Sequence, residues 1–189
     1  KTCARLQQYF KQKGFTDCGV AGLMGNIKAE SNFKSTNLQQ TYEKSLKMSD
    51  EQYTKAVDNG TYTNFVKDSA GYGLAQWTYW SRKQSLLNYA KKCKKSIGDL
   101  QMQLDYMYSE LKGYPGVIKV LQTADTVREA SDAVLLQYER PADQSEKAQL
   151  KRAGYGEEIY NEFCKKYIKI ELPVLKKGCK CKIATLFYD

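Results

Sequence analysis

Hydrophobic positions recur three and four residues apart through most of the chain, a spacing that predicts a mostly helical protein. Leu6 and Phe10 lie four residues apart in a first helix, which Gly14 ends. A second helix follows, with Thr16 or Asp17 as its cap, and it runs toward Ala29. A further helix is predicted over residues 81–94. The clearest apolar stripe comes later in the chain, at Leu100, Leu104, Met107 and Leu111.

Pairs of residues with capping-box spacing mark the start of three more helices. These pairs are Ser49 with Gln52, Thr126 with Glu129, and Asp143 with Glu146. The first of these helices stops at an Asn-Gly pair at residues 59–60, and the second is ended by a proline at residue 141. The third is predicted to reach about residue 167.

Two parts of the chain lack this helical pattern. Outside the short helix that begins at Ser49, residues 32–70 are rich in Thr, Asn, Lys and Tyr, which is the composition of a surface lobe or a substrate rim. Residues 168–172 alternate apolar and polar side chains, and residues 180–188 do so more loosely, which favours β structure. Since 189 residues suffice for one well-packed domain, we expect a helical domain over residues 1–167 and a C-terminal extension over residues 168–189.

The net charge of +9 indicates a polyanionic partner. Nucleic acid is the usual partner of a basic protein, but no nucleic-acid-reading motif accompanies the scattered lysines. A bacterial wall rich in phosphate polymers fits the charge equally well. No stretch of the sequence is apolar enough over 18 residues to predict a membrane span.

Six cysteines and the absence of histidine restrict the possible chemistry. Without histidine there is no Ser-His-Asp or Cys-His centre and no zinc site that uses imidazole, and we expect neither a metal nor a cofactor. Disulfide bonds are favoured over buried free thiols or a cysteine metal site, and they would indicate an oxidising destination. The cysteines are Cys3, Cys18, Cys93, Cys164, Cys179 and Cys181.

The second helix has an unusually thin surface, with Gly19, Gly22 and Gly25 among small neighbours. Each glycine inside a helix costs roughly 0.5–1 kcal/mol relative to alanine. Such a surface therefore indicates that another helix or a ligand approaches this helix closely.

Glu30 is the first candidate for chemistry. It follows Leu23 and Ile27 on one face of the second helix and lies near the negative end of that helix. Both features disfavour a charged carboxyl, and a carboxyl held neutral is what a general acid needs to protonate a glycosidic oxygen. The alternative is an exposed helix-end glutamate without a catalytic role.

The segment GYGLAQWT, residues 71–78, is the second candidate. Two glycines flank Tyr72, and Gln76 and Trp77 follow, which indicates a tight turn that presents amide groups and aromatic rings. Sugars are bound by such groups, since amides pair with hydroxyls and aromatic faces pack against ring C–H groups. The alternative is a turn with a buried tryptophan.

Together, GLMGNIKAESNF at residues 22–33 and GYGLAQWT at residues 71–78 resemble the phage tail lysozyme family. They are more distantly similar to lytic transglycosylases, in which a Glu-Ser pair at a helix end precedes a Gly-Leu-x-Gln segment. The segments at residues 82–87, 103–107 and 138–141 also resemble the phage family. The resemblance covers roughly residues 4–165.

This resemblance implies a mostly α, lysozyme-like fold with a polar substrate lobe. It implies cleavage of the β-1,4 bond between N-acetylmuramic acid and N-acetylglucosamine, with Glu30 as the catalytic acid. Ser31, Gln76 and Tyr72 would line the cleft, while Trp77 would either contact sugar or pack beneath the segment. The partners would be peptidoglycan and anionic wall polymers rather than nucleic acid, reached from outside the cell or from a virion tail.

A second carboxylate is needed if the chain is a hydrolase. Asp68 is the preferred candidate because it precedes the Gly71 turn by three residues, although a short acid there could instead cap the turn's amides. Glu139 is expected to be a structural partner of Arg140 or of a backbone amide. The remaining candidates in the polar segment are Glu43, Asp50, Glu51 and Asp58.

Two other functions remain open. A lytic transglycosylase needs only Glu30, because the muramyl 6-hydroxyl closes on the anomeric carbon and leaves a 1,6-anhydro end. A non-catalytic wall-binding module would use the same cleft and basic surface without Glu30. A cationic protein acting on nucleic acid or membranes is disfavoured, since no strongly basic amphipathic helix or base-stacking motif is present.

Overall fold

A computed structural model describes residues 2–171, together with the side chains of residues 2–163. Within that range the chain is mostly helical, as predicted, and it forms no strands. The helices are α1 Thr2–Gln12, α2 Asp17–Ser31, α3 Gln40–Leu46, α4 Asp50–Asp58, α5 Trp80–Cys93, α6 Leu100–Leu111, α7 Pro115–Thr123, α8 Val127–Ala133 and α9 Glu146–Glu171. A π-helical segment, Val134–Glu139, continues directly from α8.

Local capping signals position several of these helices as the sequence predicts. Thr16 Oγ1 accepts a hydrogen bond from the Gly19 amide at 2.9 Å and caps α2. Both halves of the capping box between Ser49 and Gln52 are formed at the start of α4. A cap side chain satisfies amides that the first helical turn leaves unpaired, so these signals act independently of tertiary contacts.

One helix prediction needs correction, and two helices of the structure have no counterpart among the predictions. Helix α9 begins at Glu146 with the hydroxyl of Ser145 bonded to the Ala148 amide at 3.3 Å, so Asp143 is not its cap. Helices α3 and α7 were not predicted. Helix α3 lacks a side-chain cap and fully buries no side chain, and its apolar pair, Tyr42 and Leu46, is only partly buried against the core. Helix α7 carries recognisable signals, a proline at its first position and buried Val117 and Leu121.

Helix α2 is at the centre of the domain and packs against α1, α7, α8 and α9. Its thin surface is the reason that these helices come so close. A Cβ atom at Gly22 would lie 2.6 Å from the Ala130 Cβ on α8, and one at Gly25 would lie 2.4 Å from the Arg152 carbonyl oxygen on α9. The prediction that another helix approaches α2 closely is therefore confirmed.

The C-terminal end of α9 bears on the predicted extension. Helix α9 continues to Glu171, so it runs across the domain boundary predicted at residue 167, and residues 168–171 are helical. The rest of the predicted β-prone extension, residues 172–189, lies outside the described residues.

The predicted disulfide bonds are not confirmed. Cys93 is an exposed free thiol, and the Cys18 thiol is also free and lies 3.3 Å from the Asp125 carbonyl oxygen. The side chains of Cys164, Cys179 and Cys181 lie outside the described part of the chain. Of the helices described here, none is long and apolar enough to cross a membrane.

Candidate active site

Glu30 lies in the last turn of α2 and opens onto a cavity of about 490 Å³. The chain leaves the helix through Asn32 and Phe33, both in the left-handed region with φ of 49° and 65°. The Glu30 side chain is 17% exposed, so its carboxyl is largely buried but reaches the cavity. The cavity is lined by Glu30, Lys34, Asn37, Leu38, Gln39, Gln40, Glu43, Asp50 and Gln76.

Two further carboxyl groups line this cavity. Asp50 is buried and accepts hydrogen bonds from the Leu38 amide at 2.7 Å and from Lys34 Nζ at 2.6 Å. Glu43 is half-buried and lies beside Asp50. Desolvation and the neighbouring Asp50 carboxylate raise the pKa of Glu43, and Lys34 partly opposes that shift. Of the three carboxyl groups that line this cavity, Glu43 is the one without an ion pair among the described residues.

A buried guanidinium lies against Glu30. Arg152 of α9 is 12% exposed, and its Nη2 is 2.6 Å from Glu30 Oε1. The Arg152 Nη1 also donates to Asn26 Oδ1 at 3.3 Å, and the Asn26 amide nitrogen is fixed by the Ser131 carbonyl at 3.1 Å. These contacts hold Arg152 in place. The sequence pattern around Glu30 does not predict this neighbouring cation.

Glu139, which the sequence predicts to be a structural partner of Arg140 or of a backbone amide, is a second carboxyl near Glu30. Its Oε1 is buried and has no hydrogen-bond partner among the described side chains, so neither Arg140 nor a backbone amide bonds to it. Burial and the nearby Glu30 raise the pKa of Glu139 to about 8, against the opposing charges of Arg82 and Arg152. Glu139 therefore holds a proton at neutral pH. Glu139 lies in the π-helical segment, whose turn is wider than that of an α-helix. The α-helical spacing of the sequence therefore does not predict the direction of the Glu139 side chain.

Residues 71–78 form a tight loop, and Gln76 of this loop lines the cavity. Tyr72 and Trp77 exchange backbone hydrogen bonds of 3.2 and 3.0 Å, and Gly73 has φ of 76°. The buried Gln103 side chain accepts from the Leu74 amide at 3.0 Å and donates to two carbonyls of other segments. The loop is therefore a rigid part of the site, held by main-chain bonds and by one buried amide.

A family model described as phage tail lysozyme matches residues 1–163. The chain belongs to the phage tail lysozyme family. Membership implies a lysozyme-type enzyme, a hydrolase or a lyase, that degrades peptidoglycan of the bacterial cell wall. None of the curated proteins matches the chain.

Of the four side chains predicted to bind sugar, one lines the cavity and three are buried. Gln76 faces the cavity, and its Nε2 donates to the Asn37 carbonyl at 3.0 Å. Ser31 is buried, with its Oγ 3.0 Å from the Leu74 carbonyl, and Tyr72 is buried, with its hydroxyl 2.6 Å from Thr54 Oγ1. The indole of Trp77 is also buried and donates to Glu110 Oε2 at 2.7 Å. The three buried side chains hold the loop against the helices.

Asp68 is not among the residues that line the cavity. Its carboxylate is 4% exposed and accepts from buried Lys83 at 2.5 Å, from the Ala70 amide at 2.9 Å, and from two tyrosines, Tyr53 at 2.6 Å and Tyr62 at 3.0 Å. The amide contact is the capping arrangement that the sequence analysis held as the alternative. The structure thus brings Glu30 together with Gln76, Glu43 and Glu139, but not with Asp68.

Proposed function

We propose that this phage tail lysozyme cleaves the β-1,4 bond between N-acetylmuramic acid and N-acetylglucosamine, with Glu30 as the general acid. The observation that carries the proposal is the Glu30 carboxyl, partly exposed at a helix end and facing a cavity shared with Gln76. Family membership supplies the substrate class. A carboxyl in this position can donate a proton to the leaving glycosidic oxygen.

The charges around Glu30 provide a way for it to acquire the proton. Arg152 pairs with Glu30 at 2.6 Å, and burial raises the pKa of the neighbouring Glu139, which favours the neutral form of that second carboxyl. A glycan strand that fills the cavity removes water from the Glu30 carboxyl, and desolvation favours the neutral form of an acid. We infer that the leaving glycosidic oxygen competes with Arg152 for the Glu30 carboxyl when substrate is bound.

We assign the second carboxylate of a hydrolytic reaction to Glu43 in place of Asp68. Glu43 lines the same cavity as Glu30 and makes no ion pair among the described residues, since Lys34 binds Asp50 and Glu51 instead. The Asp68 carboxylate is occupied by four donors and buried beside Lys83. A base must be able to approach the attacking water, and Glu43 meets that requirement better.

Lytic transglycosylation is the second candidate reaction, and one observation favours it. Desolvation and the Asp50 carboxylate raise the pKa of Glu43, which favours its protonated form, and a protonated carboxyl cannot accept a proton from water. A transglycosylase needs no second carboxylate, because the muramyl 6-hydroxyl attacks the anomeric carbon.

The remaining predicted site residues take supporting roles in this proposal. Gln76 contacts the sugar, while Ser31, Tyr72 and Trp77 act by fixing the loop that presents it. The net charge of +9 favours anionic wall polymers as additional partners. The family's description places the enzyme on a phage tail, so we propose a virion-associated location with action on the wall from outside.

Mass spectrometry of digested peptidoglycan tests the reaction type. Reducing muramyl ends support hydrolysis, and 1,6-anhydro ends support transglycosylation. Intact peptidoglycan, with the protein still bound to it, would contradict both reactions and favour a wall-binding module. The Glu43→Gln variant separates the two reactions further, since a hydrolase should lose about 10²-fold in turnover and a transglycosylase should change little.

A further inference from the structure

Tyr79 and Trp80 form an exposed aromatic pair. Their side chains are 64% and 58% exposed, more than any other large hydrophobic side chain in the described part of the chain. The ring centroids are 6.1 Å apart, with an interplanar angle of 43°. Burial of two large aromatic rings would stabilise the protein, and here both rings are exposed to solvent. Exposed apolar surface of this kind indicates a binding site.

The backbone that carries Tyr79 and Trp80 is held in place by neighbouring side-chain contacts. Tyr79 and Trp80 open helix α5 directly after the loop of residues 71–78. Arg82, in the first turn of α5, binds Glu110 with two nitrogens at 2.9 and 2.8 Å, and Glu110 also accepts from the buried Trp77. A pair held in this way loses little conformational entropy when a ligand binds, because its backbone is already fixed.

The polar groups of the two side chains make no hydrogen bond within the described part of the protein. Tyr79 occupies the N-cap position of α5, yet its side chain makes no capping hydrogen bond. Among the described residues, the phenol of Tyr79 and the indole nitrogen of Trp80 have no hydrogen-bond partner. The pair therefore offers two ring faces, one hydroxyl and one N–H donor to the solvent.

We propose that Tyr79 and Trp80 form a stacking subsite for an N-acetylated amino sugar of the glycan strand that leaves the Glu30 cavity. The position indicates this occupant, because Gln76 of the adjoining loop lines that cavity and the pair follows three residues later. Pyranose C–H faces and acetyl methyl groups pack on aromatic rings, and the acetamide carbonyl accepts from an indole N–H. The inference rests on the proposed function, since it extends the same substrate path.

Intrinsic fluorescence can test the subsite, because the chain has two tryptophans and Trp77 is fully buried. A hexamer of β-1,4-linked N-acetylglucosamine is titrated into the Glu30→Gln variant, which prevents turnover. We expect a saturable change in Trp80 emission, which the additional change Trp80→Phe removes while binding itself persists. An emission that stays constant up to millimolar hexamer would overturn the proposal.

Binding to insoluble peptidoglycan gives a second measurement. Tyr79→Ala and Trp80→Ala should each weaken binding about tenfold in the same Glu30→Gln background, whereas Leu150→Ala should bind normally. Leu150 is a suitable control, since it is 54% exposed on α9. Equal binding by all three variants would contradict the subsite, and so would aromatic-dependent binding to anionic phospholipid vesicles instead of peptidoglycan.

The two proposals can fail separately. A wild-type protein that leaves peptidoglycan uncut would refute the proposed glycosidase, although the aromatic pair could still bind glycan in the fluorescence titration. Conversely, normal cleavage with unaltered binding by Tyr79→Ala and Trp80→Ala would refute the subsite alone.

Discussion

Asp68 and Glu139 are both acidic residues near the site, and the surroundings of their carboxyl groups differ completely. The Asp68 carboxylate has four donors around it, one of them a buried ammonium group. The Glu139 carboxyl has a buried oxygen without a partner among the described side chains. Asp68 thus stabilises the fold as an anion, whereas Glu139 is more stable as a neutral acid.

Asp68→Asn should therefore reduce stability more than turnover. The variant leaves Lys83 buried without its counter-ion, and breaking a buried pair in this way costs roughly 3–5 kcal/mol. We expect a clearly lower melting temperature, with turnover per folded molecule within tenfold of wild type. A second change, Lys83→Met, should restore part of the stability. Normal melting with a hundredfold loss of turnover would instead make Asp68 the catalytic base.

Glu139 should make the stability of the fold depend on pH. The raised pKa means that the folded state keeps a proton that the unfolded chain releases above about pH 4.3. The free energy of unfolding should thus fall by up to about 1.4 kcal/mol per pH unit from there to about pH 8. The charged groups around Glu139 are Glu30, Arg82, Arg152 and Glu110.

Denaturant unfolding of wild type and Glu139→Gln, at several pH values between 4 and 9, measures this effect. The variant carries a neutral side chain at every pH, so its stability should decline less over that range and exceed that of wild type near pH 8. Parallel curves for the two proteins would show that Glu139 is ionised in the folded state.

At the scale of elements, the thin surface of α2 determines how α8 and α9 pack. Gly25→Ala should destabilise the protein by more than about 1 kcal/mol, because the new Cβ would meet the Arg152 carbonyl oxygen and Gly156. Gly154→Ala is the matched control, since its Cβ would meet nothing within 4 Å. The control should gain about 0.5–1 kcal/mol from helix propensity. Equal effects on the two melting temperatures would contradict the packing argument.

Sequence alone predicts those elements whose signals are local. Thr16 and Ser49 act on amides of their own helices, and the glycines of α2 indicate close packing without identifying the partner helix. The site depends on distant segments instead. Arg152 reaches Glu30 only because α9 lies on α2, and the direction of Glu139 depends on a π-helical turn. Neither contact can be read from the residues next to it in the sequence. For the same reason the sequence favoured Asp68 as the second carboxylate, although Asp68 does not line the cavity.

For the whole molecule, the charge of +9 should govern its attraction to the cell wall. Attraction between exposed charges is screened by salt, so binding to whole walls should weaken as salt rises from about 50 to about 200 mM. Walls stripped of anionic polymers should bind less at low salt and show a weaker salt dependence. Co-sedimentation with both kinds of wall measures this, and identical salt profiles would show that the polymers are not partners.

The central claim is that Glu30 supplies the proton for cleavage. Glu30→Gln keeps the shape of the side chain and removes its transferable proton, and Glu129→Gln provides an exposed control on α8. The decisive measurement is release of soluble muropeptides from peptidoglycan by wild type and both variants, with wall binding and melting temperature recorded on the same samples. We predict that Glu30→Gln binds peptidoglycan like wild type, melts at a lower temperature because Arg152 loses its counter-ion, and releases essentially nothing, while Glu129→Gln is fully active. More than a tenth of wild-type release by Glu30→Gln would contradict the central claim.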